Sequence, residues 1–72
     1  MSYVIYKKEY KELVEKLIKA RLDIGLKQQE VAKKLKKPQS YISKIERCER
    51  RIDVFELKKI AEIYKKSVSY FL

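Results

Sequence analysis

Gln28–Arg51 reads QQEVAKKLKKPQSYISKIERCERR, and its punctuation decides the architecture. Val31, Ala32 and Leu35 recur at the three- and four-residue steps of one helix face, so the spacing predicts a short helix from Lys27 to Leu35. The Lys36-Lys37-Pro38 stretch closes it, because Pro38 disfavours helix at Lys37 yet suits the first turn of a new one. A second short helix is predicted from Pro38 to Arg47. Each residue advances about 100° around a helix axis, so with Gln39 at the origin Ser43 falls at about 40°, Arg47 at about 80°, Ser40 at about 100° and Lys44 at about 140°. That face is wholly polar. Tyr41, Ile42 and Ile45 occupy the opposite arc, enough to anchor the helix on a core.

Working outward, Tyr10, Leu13, Val14, Leu17, Ile18 and Leu22 lay an apolar stripe along a helix expected over residues 6 to 24, which Gly25 ends. Downstream, Asp53 and Glu56 have the spacing of a capping box. It opens a helix on which Val54, Leu57, Ile60, Ala61 and Tyr64 are expected to face inward. Ser67 is expected to cap a last short helix that ends in Tyr70, Phe71 and Leu72. Strand-like alternation is confined to the first few residues, and no internal repeat or linker is present. The expectation is an all-α fold of five short helices, one domain over residues 1–72, with residues 1–5 as an N-terminal arm.

The composition narrows the chemistry. With one Cys and no His among 72 residues, an internal disulfide, a Cys/His zinc site and imidazole catalysis are all excluded. The single glycine cannot build a phosphate-cradling loop, and no apolar run approaches the roughly 20 residues that span a bilayer. The opening MSYVIYKKEY lacks the features of a secretory signal, so an intracellular, soluble, non-enzymatic protein without cofactor or metal is expected. Charge points towards a partner. The 19 Lys and Arg against 10 Asp and Glu leave +9 overall, and residues 27–51 hold nine of the bases against three of the acids. Lys36, Lys37, Arg47, Arg50 and Arg51 crowd the two ends of the helix whose polar face carries amides, hydroxyls and bases. Gln can bond the N6/N7 edge of adenine in two places, Ser suits several bases, and Lys or Arg reads guanine or grips phosphate.

The same segment, with Arg21, Gly25, Leu26 and the closing SVSYFL, resembles the phage-repressor-like (Xre/Cro) helix-turn-helix family over residues 10–72. The resemblance implies a five-helix lambda-repressor-like domain in which the second helix lies across the DNA backbone and the third enters the major groove. It implies a sequence-specific regulator of transcription that binds double-stranded DNA, a repressor acting as a homodimer on an operator with two half-sites, in the cytoplasm. Carried over position by position, Gln39, Ser40 and Lys44 match base-contacting residues, and Ser43 and Arg47 match base- or phosphate-contacting ones. Gln28 matches a phosphate-gripping residue that can brace Gln39. Lys36, Lys37, Arg50 and Arg51 are expected on phosphates, and Arg21 with Glu46 resembles a pair joining the first helix to the end of the third. For dimerisation the expected surface is the apolar group Phe55, Tyr70, Phe71 and Leu72, with Tyr3–Tyr6 as the other candidate. Alternatives on the same fold are a DNA-binding antitoxin with a toxin partner, a restriction-modification controller, and a protein-binding adaptor that has lost DNA binding. Lys36 and Cys48 stand where the family usually has Gly, and Lys27 where it commonly has a Ser or Thr cap, so these departures bear on stability. Partial packing is the expected role of Tyr41.

Overall fold

The computed structural model describes residues 8–72, so the candidate arm at residues 1–5 and the apolar run Tyr3–Tyr6 lie outside the described residues. Five helices follow in order: α1 Lys8–Asp23, α2 Gln28–Leu35, α3 Gln39–Glu46, α4 Val54–Ile63 and α5 Val68–Phe71. α3 packs against both α1 and α2, α2 also meets α4, and α5 closes the bundle against α1 and α4. Ala32 lets α2 and α3 approach closely, and it joins Leu17, Val31, Ile42, Ile45, Ile60 and Phe71 in one core in which every one of these side chains is buried. No helix among the described residues is long and apolar enough to cross a membrane.

Local chemistry explains the helix ends. Asp53 Oδ1 accepts from the Glu56 backbone N–H at 2.8 Å and Glu56 Oε1 accepts from the Asp53 N–H at 3.1 Å, a complete capping box. α2 has half of one: Glu30 accepts from the Lys27 backbone N–H at 2.7 Å, but the Lys27 ammonium has no lone pair to return. α1, α2, α3 and α4 all close in the same way. A residue with positive φ, namely Gly25, Lys36, Cys48 or Lys65, donates back three residues, and its successor donates back five. This double closure satisfies carbonyls that the end of a helix would otherwise leave bare. Only α1 uses glycine for it; Lys36, Cys48 and Lys65 hold φ of 58°, 62° and 59°.

Three expectations about packing need correcting. Leu22 is 61% exposed and Ala20 is buried in its place, because Leu22 lies about 120° around α1 from Tyr10 while Ala20 lies on the other flank of the stripe. Val54 is 58% exposed, since it stands in the first turn of α4, to one side of the buried arc of Leu57, Ile60, Ala61 and Tyr64. Ser67 precedes α5 but makes no capping bond; its hydroxyl pairs with that of Ser69 at 3.0 Å. Helix limits also shift by a residue or two, with Lys27, Pro38 and Arg47 flanking α2 and α3 rather than lying within them.

Candidate nucleic-acid interface

α3 is an eight-residue helix split cleanly between core and solvent. Tyr41, Ile42 and Ile45 are buried, whereas Gln39, Ser40, Lys44 and Arg47 are exposed and Ser43 is half-buried. The split follows from the angular positions of the residues: the apolar arc needs a partner, and α1 and α2 supply it. Pro38, in extended conformation with φ −69°, starts the helix and its carbonyl accepts from the Tyr41 N–H at 3.0 Å. Lys36 and Lys37 stand exposed just before this helix and Arg51 just after it, so its free face is edged with positive charge.

A chain of polar contacts ties this face to the rest of the molecule. Arg21, on α1, donates from Nε to Glu46 Oε2 at 2.7 Å and from Nη2 to Glu46 Oε1 at 3.0 Å, and its Nη1 reaches the Leu26 carbonyl at 2.9 Å. Only 11% and 8% of the two side chains are exposed, so the bidentate pair works in a poorly screened setting. The Glu46 carboxylate raises the pKa of Arg21 further above its ordinary value. Gln28 Nε2 donates to the same Glu46 Oε1 at 2.8 Å, and Gln39 Nε2 donates to Gln28 Oε1 at 3.4 Å. Four side chains from α1, α2 and α3 thus form one continuous network that ends at the exposed amide of Gln39.

The bases at the other end differ from one another. Arg47 forms a bidentate contact with Glu49, at 3.0 and 3.1 Å, which holds the Glu49 carboxyl below the usual carboxylate range. Arg50, one of the phosphate candidates, is also engaged within the protein. Its Nη2 bonds Glu56 at 3.0 Å, and its guanidinium stacks 4.7 Å from the centre of the Tyr41 ring. Its backbone carbonyl accepts from the Tyr10 hydroxyl at 2.8 Å, which in turn accepts from the Ile52 N–H at 3.2 Å. Arg50 therefore fastens the loop between α3 and α4, whereas Lys36, Lys37 and Arg51 have exposed side chains. Lys37 also sits over Tyr41, at 5.4 Å. Tyr41 is more deeply packed than expected; burial first, and then the Glu56 carboxylate, raise its phenol pKa well above the ordinary value.

The partners Glu49, Glu56 and Tyr10 were not legible in the sequence. Arg47 and Glu49 lie two residues apart across a left-handed turn, outside any helical pairing rule, and Tyr10 meets Arg50 across 40 positions. The expected dimer group is also divided. Phe71 must be taken out of it: its ring is 2% exposed and packs edge-on against Tyr70, with centroids 5.0 Å apart, because the amphipathic turn of α5 spends this residue on the core. Phe55 and Leu72 remain, 71% and 79% exposed, with Tyr70 half-buried. Leu72 borders an apolar groove of about 230 Å³ lined also by Tyr10, Leu13, Ile52, Val54 and Leu57.

A helix-turn-helix family model matches residues 17–71, which takes in all of α2 to α5 and the inner half of α1. No curated protein and no solved structure matches the chain. The turn between α2 and α3, the small residue at their crossing and the exposed polar face of α3 all fall inside the matched span. The chain belongs to the phage-repressor-like helix-turn-helix family and is a DNA-binding regulator of transcription.

Proposed function

We propose that this protein reads a specific double-stranded DNA sequence with α3 and represses transcription as a homodimer on an operator with two half-sites. The observation that carries the reading is the division of α3. Gln39, Ser40, Lys44 and Arg47 lie exposed on one side, its buried side is fixed by α1 and α2, and lysines and arginines flank its ends. A helix held in this way can enter a major groove as a rigid body. Gln39, Ser40 and Lys44 reach base edges, Ser43 and Arg47 lie at the margin, and Gln28, Lys36, Lys37 and Arg51 grip phosphates. Arg50 supports the loop that carries Arg51.

Dimerisation follows from the size of the reading element, because one short helix covers few base pairs and two half-sites spaced a helical turn apart restore specificity. Phe55 and Leu72 are the exposed apolar side chains that a partner copy would cover. The domain that does this is the five-helix unit described over residues 8–72, and it acts in the cytoplasm. The test is selection of bound duplexes from a random pool, followed by sedimentation on the selected duplex. A two-fold symmetric consensus occupied by two copies is the expected result, and one copy on an asymmetric site would overturn the dimeric reading.

A further inference from the structure

We propose that Glu49 is a positioning residue that makes Arg47 a base reader rather than a phosphate grip, and that Arg47 selects a guanine opposite the last turn of α3 in each half-site. The inference rests on the reading of α3 as the groove-entering helix and assigns a target to the last basic residue of its polar face.

Arg47 lies at about 80° on the polar arc that Gln39 opens and Lys44 closes at about 140°, so it stands near the middle of that face. Its neighbours there, Ser40 and Ser43, are short, and the Ser43 hydroxyl turns back to the Ser40 carbonyl at 3.3 Å. The backbone then brings Glu49 alongside. Cys48, with φ 62°, folds the chain so that the Glu49 N–H donates to the Lys44 carbonyl at 2.8 Å. From this fixed point both carboxylate oxygens take one edge of the Arg47 guanidinium, Oε2 from Nε at 3.0 Å and Oε1 from Nη2 at 3.1 Å. The fork fixes the guanidinium plane and leaves the hydrogens of Nη1 and the second hydrogen of Nη2 as donors at the opposite end.

Charge decides what that free end suits. Arg47 holds the Glu49 carboxyl below the usual carboxylate range, so the carboxylate is ionised at neutral pH and the pair is neutral as a whole. A neutral pair releases little counterion from the DNA backbone, and a phosphate at the free end would set a second full negative charge against Glu49. Guanine N7 and O6 are uncharged acceptors that take an arginine in two places, whereas adenine presents a donor at N6. Both side chains are just over half exposed, so the free end is open to a groove.

The experiment is selection from a random duplex pool, followed by salt titration on the selected and scrambled duplexes. It uses the parent, R47A, E49Q, the double variant R47A/E49Q and Q39A, each first shown by melting to be folded. The parent should enrich guanine at one position of each half-site. R47A should lose that preference alone, weaken the selected duplex about tenfold, the scale of one good bidentate contact, and leave the salt slope as in the parent. E49Q releases a net positive charge, so affinity for scrambled DNA should rise about two- to fivefold, the scale of one exposed ion pair, and the salt slope should steepen by about one unit. Its discrimination in favour of guanine should fall by a similar factor. R47A/E49Q should lose the steeper slope, because the released arginine carries it. An R47A variant that weakens both duplexes alike and flattens the slope by about one unit would make Arg47 a phosphate contact and overturn the proposal. So would an E49Q variant whose slope and guanine preference match the parent's. If Q39A and R47A both left every preference intact, α3 would not be the reading element, whereas a Q39A effect with none from R47A would remove only the role given to Arg47 and Glu49.

Discussion

Lys36 occupies the left-handed region at φ 58°, where a side chain bearing Cβ costs roughly 1 kcal/mol relative to glycine. Lys36→Gly should relieve that strain, offset in part by the freedom glycine adds to the unfolded chain. A full 1 kcal/mol would raise the melting temperature of a domain this size by about 4 to 8 °C, so a rise within that bound is expected in a thermal melt. A lower melting temperature would mean that Lys36 makes interactions worth more than its strain. At the same scale, reading and gripping separate. Gln39→Ala should cost about 1 to 3 kcal/mol on the selected operator and much less on scrambled DNA, because an uncharged amide adds little to non-specific binding. Lys37→Ala or Arg51→Ala should weaken both duplexes alike and flatten the salt dependence by about one unit of slope for each phosphate no longer neutralised. Arg50→Ala should differ from these, lowering the melting temperature more than the salt slope, because its guanidinium is engaged with Glu56 and Tyr41.

Between elements, the Arg21–Glu46 pair is the tie that sets α1 against the end of α3. Arg21→Met would leave a nearly buried carboxylate with no countercharge, an effect of about 3 to 5 kcal/mol where a buried pair is broken on one side. A 72-residue domain has total stability of only about 4 to 11 kcal/mol at the usual contribution per residue, so this variant should be largely unfolded near its lower limit. Arg21→Met combined with Glu46→Leu should regain much of the loss, since an apolar pair of similar volume removes the unpaired charge. Denaturant titration of the three proteins checks the ordering. Asp53→Ala, which removes one half of the capping box of α4, should cost about 1 kcal/mol by the same measurement.

For the molecule as a whole, alkaline stability turns on buried phenols. Burial raises the pKa of Tyr64 above its ordinary value, Glu46 raises it further, and Arg21 opposes them. The folded pKa then exceeds the unfolded value of about 10, so the associated stability is fully present below that pH and is lost as the pH rises towards the folded pKa. Melting temperature should stay level up to about pH 9.5 and then fall, and Tyr64→Phe should fall less steeply than the parent. Equal slopes would show that other groups govern alkaline unfolding. The exposed apolar surface makes a separate prediction: Phe55→Asp should abolish two-copy occupancy of the operator while leaving the monomer's melt nearly unchanged, because the Phe55 side chain is 71% exposed in the monomer.

Sequence alone determined the elements of this protein, because each was announced by short-range chemistry: helical periodicity, Pro38, Gly25 and the Asp53/Glu56 spacing act within a turn or two of the chain. The polar face of α3 was legible for the same reason, since 100° per residue fixes relative direction without knowledge of the neighbours. Tertiary structure decided which partner each side chain meets. Leu22 and Phe71 exchange expected roles because burial depends on where another helix lies, and the Arg50 guanidinium meets Glu56 and Tyr41 while its carbonyl meets Tyr10, partners that come together only in the folded chain. The polar network that joins Gln39 to Gln28, Glu46 and Arg21 belongs to this second class as well, because hydrogen bonds form only between groups that the fold has put in contact, and Arg21 and Glu46 lie 25 residues apart in sequence.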